Sequence, residues 1–171
     1  MIEYAYYLSC GETIFMTTSY KEYYSFDDNA DEVIFHRHDM PSPWINYLTN
    51  GTLFTMISQA GGSLSWYKSP EIWRIGRYNF YNLPTDGNGL FVYIKDKKTG
   101  KVWNPTVIPC DVKPDKWHSV HGFGYTRFHA EKDGVTVDLN CFIGKENVLI
   151  YDMNISAETA REISVFACRE M

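Results

Sequence analysis

The sequence predicts an all-β fold, an antiparallel β-sandwich with little helix. Three observations lead there. Aromatic residues make up 16% of the chain, and such side chains suit the pleated, half-buried surface of a strand. Short apolar runs recur between turn signals such as Asn50-Gly51, Lys98-Thr99-Gly100 and Asp133-Gly134, the pattern of a sandwich. Val135, Val137, Leu139 and Cys141 alternate with Thr136, Asp138 and Asn140, which is the period of a strand with one face buried.

Residues 1–22 fit neither the strand nor the helix period and are read as an N-terminal extension; the sandwich domain is assigned to 23–171. Its first strand is Val33 to Arg37. Pro41 and Pro43 fix φ and disfavour helix at the residues before them, so Trp44 to Leu48 is expected as a rigid extended crossing. Asn50-Gly51 then supplies a left-handed turn into a strand from Thr52 to Gln59. Gly61-Gly62 interrupts, and Ser63 to Tyr67 resumes. Glu71 to Phe80 reads as a further strand, and Asp86 to Gly89 as a loop. Leu90 to Lys95 and Lys101 to Ile108 form a hairpin around Gly100. His118 to Ala130 is expected to pair with Val135 to Ile143 across Asp133-Gly134. Asn147 to Ile155 and Glu162 to Arg169 add two strands, with a possible helical turn at 156–162. The last strand runs to the terminus without a closing turn. That predicts an open edge and a sheet left incomplete at its C-terminal end.

Composition excludes several classes. The formal net charge is −5, and the basic cluster Lys95 to Lys101 reads as a solvated hairpin tip, so nucleic-acid binding is not expected. Cys10, Cys110, Cys141 and Cys168 form no C-x-x-C pair, which fits free thiols in a reducing, cytoplasmic compartment. Glu3 precedes the first apolar stretch and no Lys or Arg occurs before Lys21, so a signal peptide lacks its charged start. No apolar run is long enough for a membrane span.

Catalytic and metal signatures are weak. His36-x-His38 shares one side of a strand, but His118-x-x-His121 splits across two faces, and no metal site is assigned. Asp27, Asp28, Asp31, Glu32, Asp111 and Asp115 lie in polar stretches, without the apolar surroundings that make a general acid. Trp44, Asn46, Tyr47, Trp66, Tyr67, Trp73, Arg74, Arg77 and Trp103 form a set suited to sugar contact, although aromatic residues in a sandwich are also the natural core.

Five blocks in fixed order carry a resemblance: F-D-D-N (26–29), R-H-D-M-P-S-P-W-I-N-Y-L (37–48), G-G-S-L-S-W-Y (61–67), R-I-G-R-Y (74–78) and H-G-F-G-Y-T (121–126). In these the chain, from about Tyr24 onward, resembles the N-terminal domain of glycoside hydrolase family 94, the inverting disaccharide phosphorylases such as cellobiose and chitobiose phosphorylase. The resemblance implies a large super-sandwich that precedes a helical-barrel catalytic domain, which is absent from this chain. It implies phosphorolysis of a β-linked disaccharide to a sugar 1-phosphate, with inorganic phosphate as co-substrate and no other cofactor. It also implies a homodimer when the protein is full length. No position here matches a catalytic residue of the family, so the chain by itself is expected to be inactive. Trp44, Asn46 and Arg77 are the candidates for carbohydrate binding or barrel docking, with Trp44 as anchor. The alternative function is a stand-alone carbohydrate-binding module.

Overall fold

The structure is a computed structural model that describes residues 5–7, 13–15, 20–76 and 89–169. Its strands are β1 (Ala5–Tyr7), β2 (Thr13–Phe15), β3 (Tyr24–Asp27), β4 (Glu32–Phe35), β5 (Ile45–Thr49), β6 (Leu53–Ser58), β7 (Ser63–Tyr67), β8 (Arg74–Ile75), β9 (Leu90–Asp96), β10 (Val102–Trp103), β11 (Lys116–Gly122), β12 (Tyr125–Lys132), β13 (Val135–Ile143), β14 (Leu149–Ala157) and β15 (Ile163–Arg169). Among the described residues the helical content is one 3-10 turn, Tyr20–Glu22. None of it is long and apolar enough to cross a membrane.

Every strand pairing is antiparallel. A six-stranded sheet runs β14-β13-β12-β11-β4-β3. A four-stranded sheet, β5-β6-β7-β8, and a three-stranded sheet, β10-β9-β15, lie against it. Leu48 and Ile57 of the four-stranded sheet join Val92, Ile94 and Trp103 of the three-stranded sheet. Together they pack on Phe128, Ala130, Val135, Val137, Leu139 and Cys141 of the six-stranded one. The alternation read in 135–141 is therefore the alternation of the six-stranded sheet. Its inner face is dry, and its outer face carries Thr136, Asp138 and Asn140. Desolvation in that core pushes the Cys141 thiol pKa up, out of the range where it would be reactive.

Several elements differ from the sequence reading, each for a local reason. His118 to Ala130 is two strands, because Phe123-Gly124 makes a two-residue turn and brings Gly122 opposite Tyr125. The expected turn at Asp133-Gly134 is present, with φ of 49° and 74° at its two residues. The crossing at Trp44 to Leu48 is a sheet strand, since Ile45 to Thr49 pair with β6 throughout. Tyr24–Asp27, unassigned in the sequence reading, pairs with β4. Within Glu71 to Phe80 only Arg74–Ile75 is strand among the described residues. Ser69 to Trp73 is a turn closed by the Trp73 N–H on the Ser69 carbonyl at 2.9 Å.

Lys101 to Ile108 leaves the sheet after Trp103. Asn104 turns inward there, its Nδ2 donating to Thr106 Oγ1 at 2.7 Å, and the following prolines have no N–H for a ladder. Residues 156–162 form no helix; β14 continues to Ala157 and the Glu158 N–H bonds Gly134 O at 3.0 Å. Residues 5–7 and 13–15, read as aperiodic, pair as a small hairpin. Asp86 to Asn88 and the second half of the Glu71–Phe80 strand lie outside the described residues.

The core thins toward one side. Edge strands β14 and β15 both border it there, with Met153, Ile155 and Ile163 only partly buried. Val165, which pairs with buried Ile94, is 42% exposed, and Phe166 on the opposite face is 53% exposed. An apolar, unpaired edge is a template for another strand. The isolated chain is therefore expected to self-associate, and Phe166→Lys to shift it toward monomer in size-exclusion chromatography with light scattering. A wild-type chain that runs as a clean monomer would show that this edge is not sticky.

Candidate functional site

The two motif blocks 37–48 and 121–126 meet in space. Asn46 stands on the inward face of β5, with the half-buried Trp44 two residues before it, opposite the turn between β11 and β12. The Asn46 amide nitrogen donates to Gly122 O at 3.0 Å, Tyr125 O at 2.8 Å and Thr126 Oγ1 at 3.2 Å. The Trp44 carbonyl lies 3.1 Å from His121 Nε2. A carbonyl only accepts, so Nε2 carries the proton and Nδ1 accepts from the Thr126 hydroxyl at 3.1 Å. The result is a continuous relay from Asn46 through Thr126 and His121 to Trp44, joining the two layers. Gln59 extends it, taking the Trp44 N–H on Oε1 at 2.8 Å and donating to His38 O at 3.1 Å.

Aromatic rings close over the relay. Trp44 packs on Tyr24 at 4.6 Å between centroids and on Phe35 at 5.7 Å, and His121 meets Phe35 edge-on at 4.9 Å. Burial in this cluster lowers the His121 pKa from 6.5 to about 4. Of the three residues singled out from sequence, Trp44 and Asn46 are thus brought together, and Arg77 lies outside the described residues. Asn50, which the sequence reading used only as a turn residue, makes a second tie. Its Nδ2 donates to Gly144 O at 2.8 Å and Asn147 Oδ1 at 3.1 Å, while its Oδ1 accepts from the Leu53 N–H at 2.9 Å.

The same hairpin shapes the opposite, outer face of the six-stranded sheet. A Cβ on Gly122 would come within 2.4 Å of the Tyr125 ring. The missing side chain lets that ring lie across β11, and its hydroxyl donates to Glu32 on β4. Arg127 bonds the same Glu32 oxygen and stacks 5.1 Å from the Tyr125 centroid. Glu32, assigned to a solvated stretch from sequence, is in fact only 8% exposed. Its local sequence is polar, but the partners that bury it come from about 95 residues further on. The hydrogen bond to this carboxylate raises the Tyr125 pKa.

Beside this network lies an open hollow of about 370 Å³, lined by Ile34, Val120, Arg127, Asp138, Asn140 and Asp152 among others. Its far wall is a histidine pair, His118 and His129, stacked at 4.8 Å, with His129 Nδ1 held 2.7 Å from Asp138. Burial, then the neighbouring His129, lowers the His118 pKa. His36 shares a 2.9 Å hydrogen bond with Ser25, and His38 stands edge-on to Trp117 at 5.9 Å. Among the described residues no His, Cys, Asp or Glu cluster is arranged to hold a metal.

Comparison with known proteins shows the family. The family description "Glycosyl hydrolase 94, supersandwich domain" matches residues 30–171. The chain belongs to the glycoside hydrolase family 94 supersandwich family. Among curated relatives, the N,N'-diacetylchitobiose phosphorylase of Vibrio furnissii is 31% identical over 150 residues, covering 85% of this chain. That of Vibrio proteolyticus is 31% identical over 151 residues. The solabiose phosphorylase of Paenibacillus borealis is 28% identical over 144 residues, covering 81% of this chain. The chain spans about 19% of the length of the two Vibrio phosphorylases and 18% of the solabiose enzyme. The supersandwich fold expected from the sequence is the fold observed.

Two outcomes test this geometry. Gly122→Ala is expected to destabilise the chain by about 1–3 kcal/mol, as overpacking does, and Tyr125→Ala in the same chain to offset part of that loss in a double-mutant cycle. Simple additivity in urea denaturation would mean that the ring does not need the glycine. The second outcome concerns acid. An unfolded histidine takes up a proton below 6.5, whereas folded His121 resists until about 4. The unfolded state thus binds more protons in that window, and stability falls as the pH drops through it. The contribution is fully present above the window and amounts to about 2 kcal/mol lost by pH 5. His121→Gln should flatten the pH dependence by that amount.

Proposed function

We propose that this chain is the supersandwich of an inverting disaccharide phosphorylase, working beside a helical-barrel catalytic domain of a longer protein. The observation that carries this reading is the identity of the aligned relatives. Disaccharide phosphorylases align with 81–85% of this chain, yet the aligned stretch is only about a fifth of their length. The reaction proposed for the longer protein uses inorganic phosphate as co-substrate. A phosphate oxygen attacks the anomeric carbon while a carboxylic acid protonates the departing glycosidic oxygen, giving a sugar 1-phosphate with inverted configuration. The acid and the phosphate-binding groups are assigned to the barrel, so the sandwich by itself is inactive. A homodimer of the full-length protein, a β-linked disaccharide as substrate and a cytoplasmic location complete the proposal. The free thiols of Cys110, Cys141 and Cys168 support a reducing compartment.

In this reading the sandwich is a scaffold, and the segment carrying Trp44 and Asn46 is its docking ledge. The relay to His121 and Thr126 supports that role, because it makes the ledge rigid and presents a partly exposed Trp44 ring at the sandwich surface. Arg77 is proposed to contribute to the same surface.

The direct test is an assay of sugar 1-phosphate release from N,N'-diacetylchitobiose and from cellobiose with phosphate. The chain alone is expected to give none, and turnover by it would sink the scaffold reading. In the longer protein, Trp44→Ala is expected to reduce activity by about tenfold or more while the melting temperature falls by only a few degrees. Global unfolding would instead assign Trp44 to the core.

A further inference from the structure

The outer face of the six-stranded sheet is a graded surface whose rows follow from the register. One row runs His118, His129, Asp138, Asn154 across β11 to β14. The next runs Ile34, Val120, Arg127, Asn140, Asp152 across β4 to β14. In the second row the aliphatic pair Ile34 and Val120 sits at one end and the polar groups at the other. Between the two rows lies the hollow of about 370 Å³, within the roughly 300–1,000 Å³ range of small-molecule sites. Cross-strand neighbours stand about 5 Å apart and rows about 7 Å apart, a grid that a six-membered ring with hydroxyls on its rim bridges.

The chemistry of the grid selects among ligands. Its one guanidinium, Arg127, is already bound to the buried Glu32 carboxylate, and Asp138 and Asp152 add negative charge. An anion such as phosphate is therefore repelled. Donors and acceptors alternate instead: the Arg127 fork, the Asn140 and Asn154 amides, and the two aspartates. Asn140, which lines the hollow, has a buried Oδ1 with no hydrogen-bond partner among the described residues, an acceptor left unsatisfied at a cost. Only a group that both donates and accepts at many points, with an apolar face for Ile34, uses the whole surface. Asp152 and Asn154 lie exposed on the outer side of the edge strand β14, so a chain of such units can enter from the side.

We propose that this hollow is a saccharide-binding site for a neutral sugar of one or two hexose units, distinct from the Trp44 ledge. Arg127, Asn140, Asp152 and Asn154 hydrogen-bond the ring hydroxyls there, and the half-buried Ile34, backed by buried Val120, receives a C–H face. The choice of test sugars rests on the phosphorylase reading; the site itself rests on the sheet.

The test is a titration of the isotopically labelled chain with cellobiose and with N,N'-diacetylchitobiose, read by amide NMR. The Phe166→Lys form is used if self-association broadens the signals. The expected result is fast-exchange shifts confined to 118–120, 127–129, 138–140 and 152–154, with a Kd in the millimolar range. Asp152→Ala with Asn154→Ala should weaken binding by about tenfold without moving the melting temperature. If that pair of changes compromises folding, Asp152→Asn alone serves, read the same way. Absent shifts, shifts centred on Trp44, or binding indifferent to these substitutions would each overturn the proposal, as would the same shifts with inorganic phosphate alone. Because no turnover is measured, a silent hollow leaves the scaffold reading standing. Failed phosphorolysis in the longer protein likewise leaves the hollow standing.

Discussion

Asn46 reaches from the four-stranded sheet to three acceptors at the β11–β12 turn, and His121 reaches back to the Trp44 carbonyl beside it. The other features of the molecule follow from this tie. The Trp44 carbonyl also accepts the Gln59 N–H at 3.1 Å, so it is shared between its own sheet and the relay. Burial of the relay beside Tyr24, Phe35 and Trp44 keeps His121 neutral, and the Trp44 carbonyl, which can only accept, then fixes its tautomer and so the direction of the His121–Thr126 bond. Hydrophobic burial supplies the larger stabilisation, but it is non-directional; the relay sets how the layers register.

That registration has consequences on both faces of the six-stranded sheet. On the inner side, Thr126 and His121 belong to the relay. On the outer side, their neighbours Gly122, Tyr125 and Arg127 build the Glu32 network. A tight two-residue turn forces both, since adjacent strand residues point to opposite faces. The hollow beside Glu32 is thus held by the same seven-residue segment, 121–127, that locks the layers. Its floor is regular sheet rather than loop, and polar groups on such a framework keep their spacing.

The open side of the sandwich belongs to the same picture. β14 and β15 are both edges, and the apolar groups near them are only partly covered. The relatives that share this sandwich are several times longer, as the 19% coverage shows. The Asn46 and Asn50 contacts that tie the layers lie on β5 and the turn that follows it.

The sequence by itself determined the fold class, most strand positions and the family. These follow from local patterns: alternation in 135–141, turn pairs at Asn50-Gly51 and Asp133-Gly134, and an ordered set of motif blocks. It marked Trp44 and Asn46 as worth attention but not what they touch, because their partners are some 76 to 80 residues away. Phe123-Gly124 was passed over as a turn since the apolar pattern continues through it. Glu32 read as solvated for the same reason that Asn50 read as a mere turn residue: a local window contains neither Arg127 nor Gly144. Only the tertiary structure decided the burial of Glu32, the neutrality of His121 and the grid on the outer face. Each depends on strand register, and register is set by contacts between segments distant in the chain.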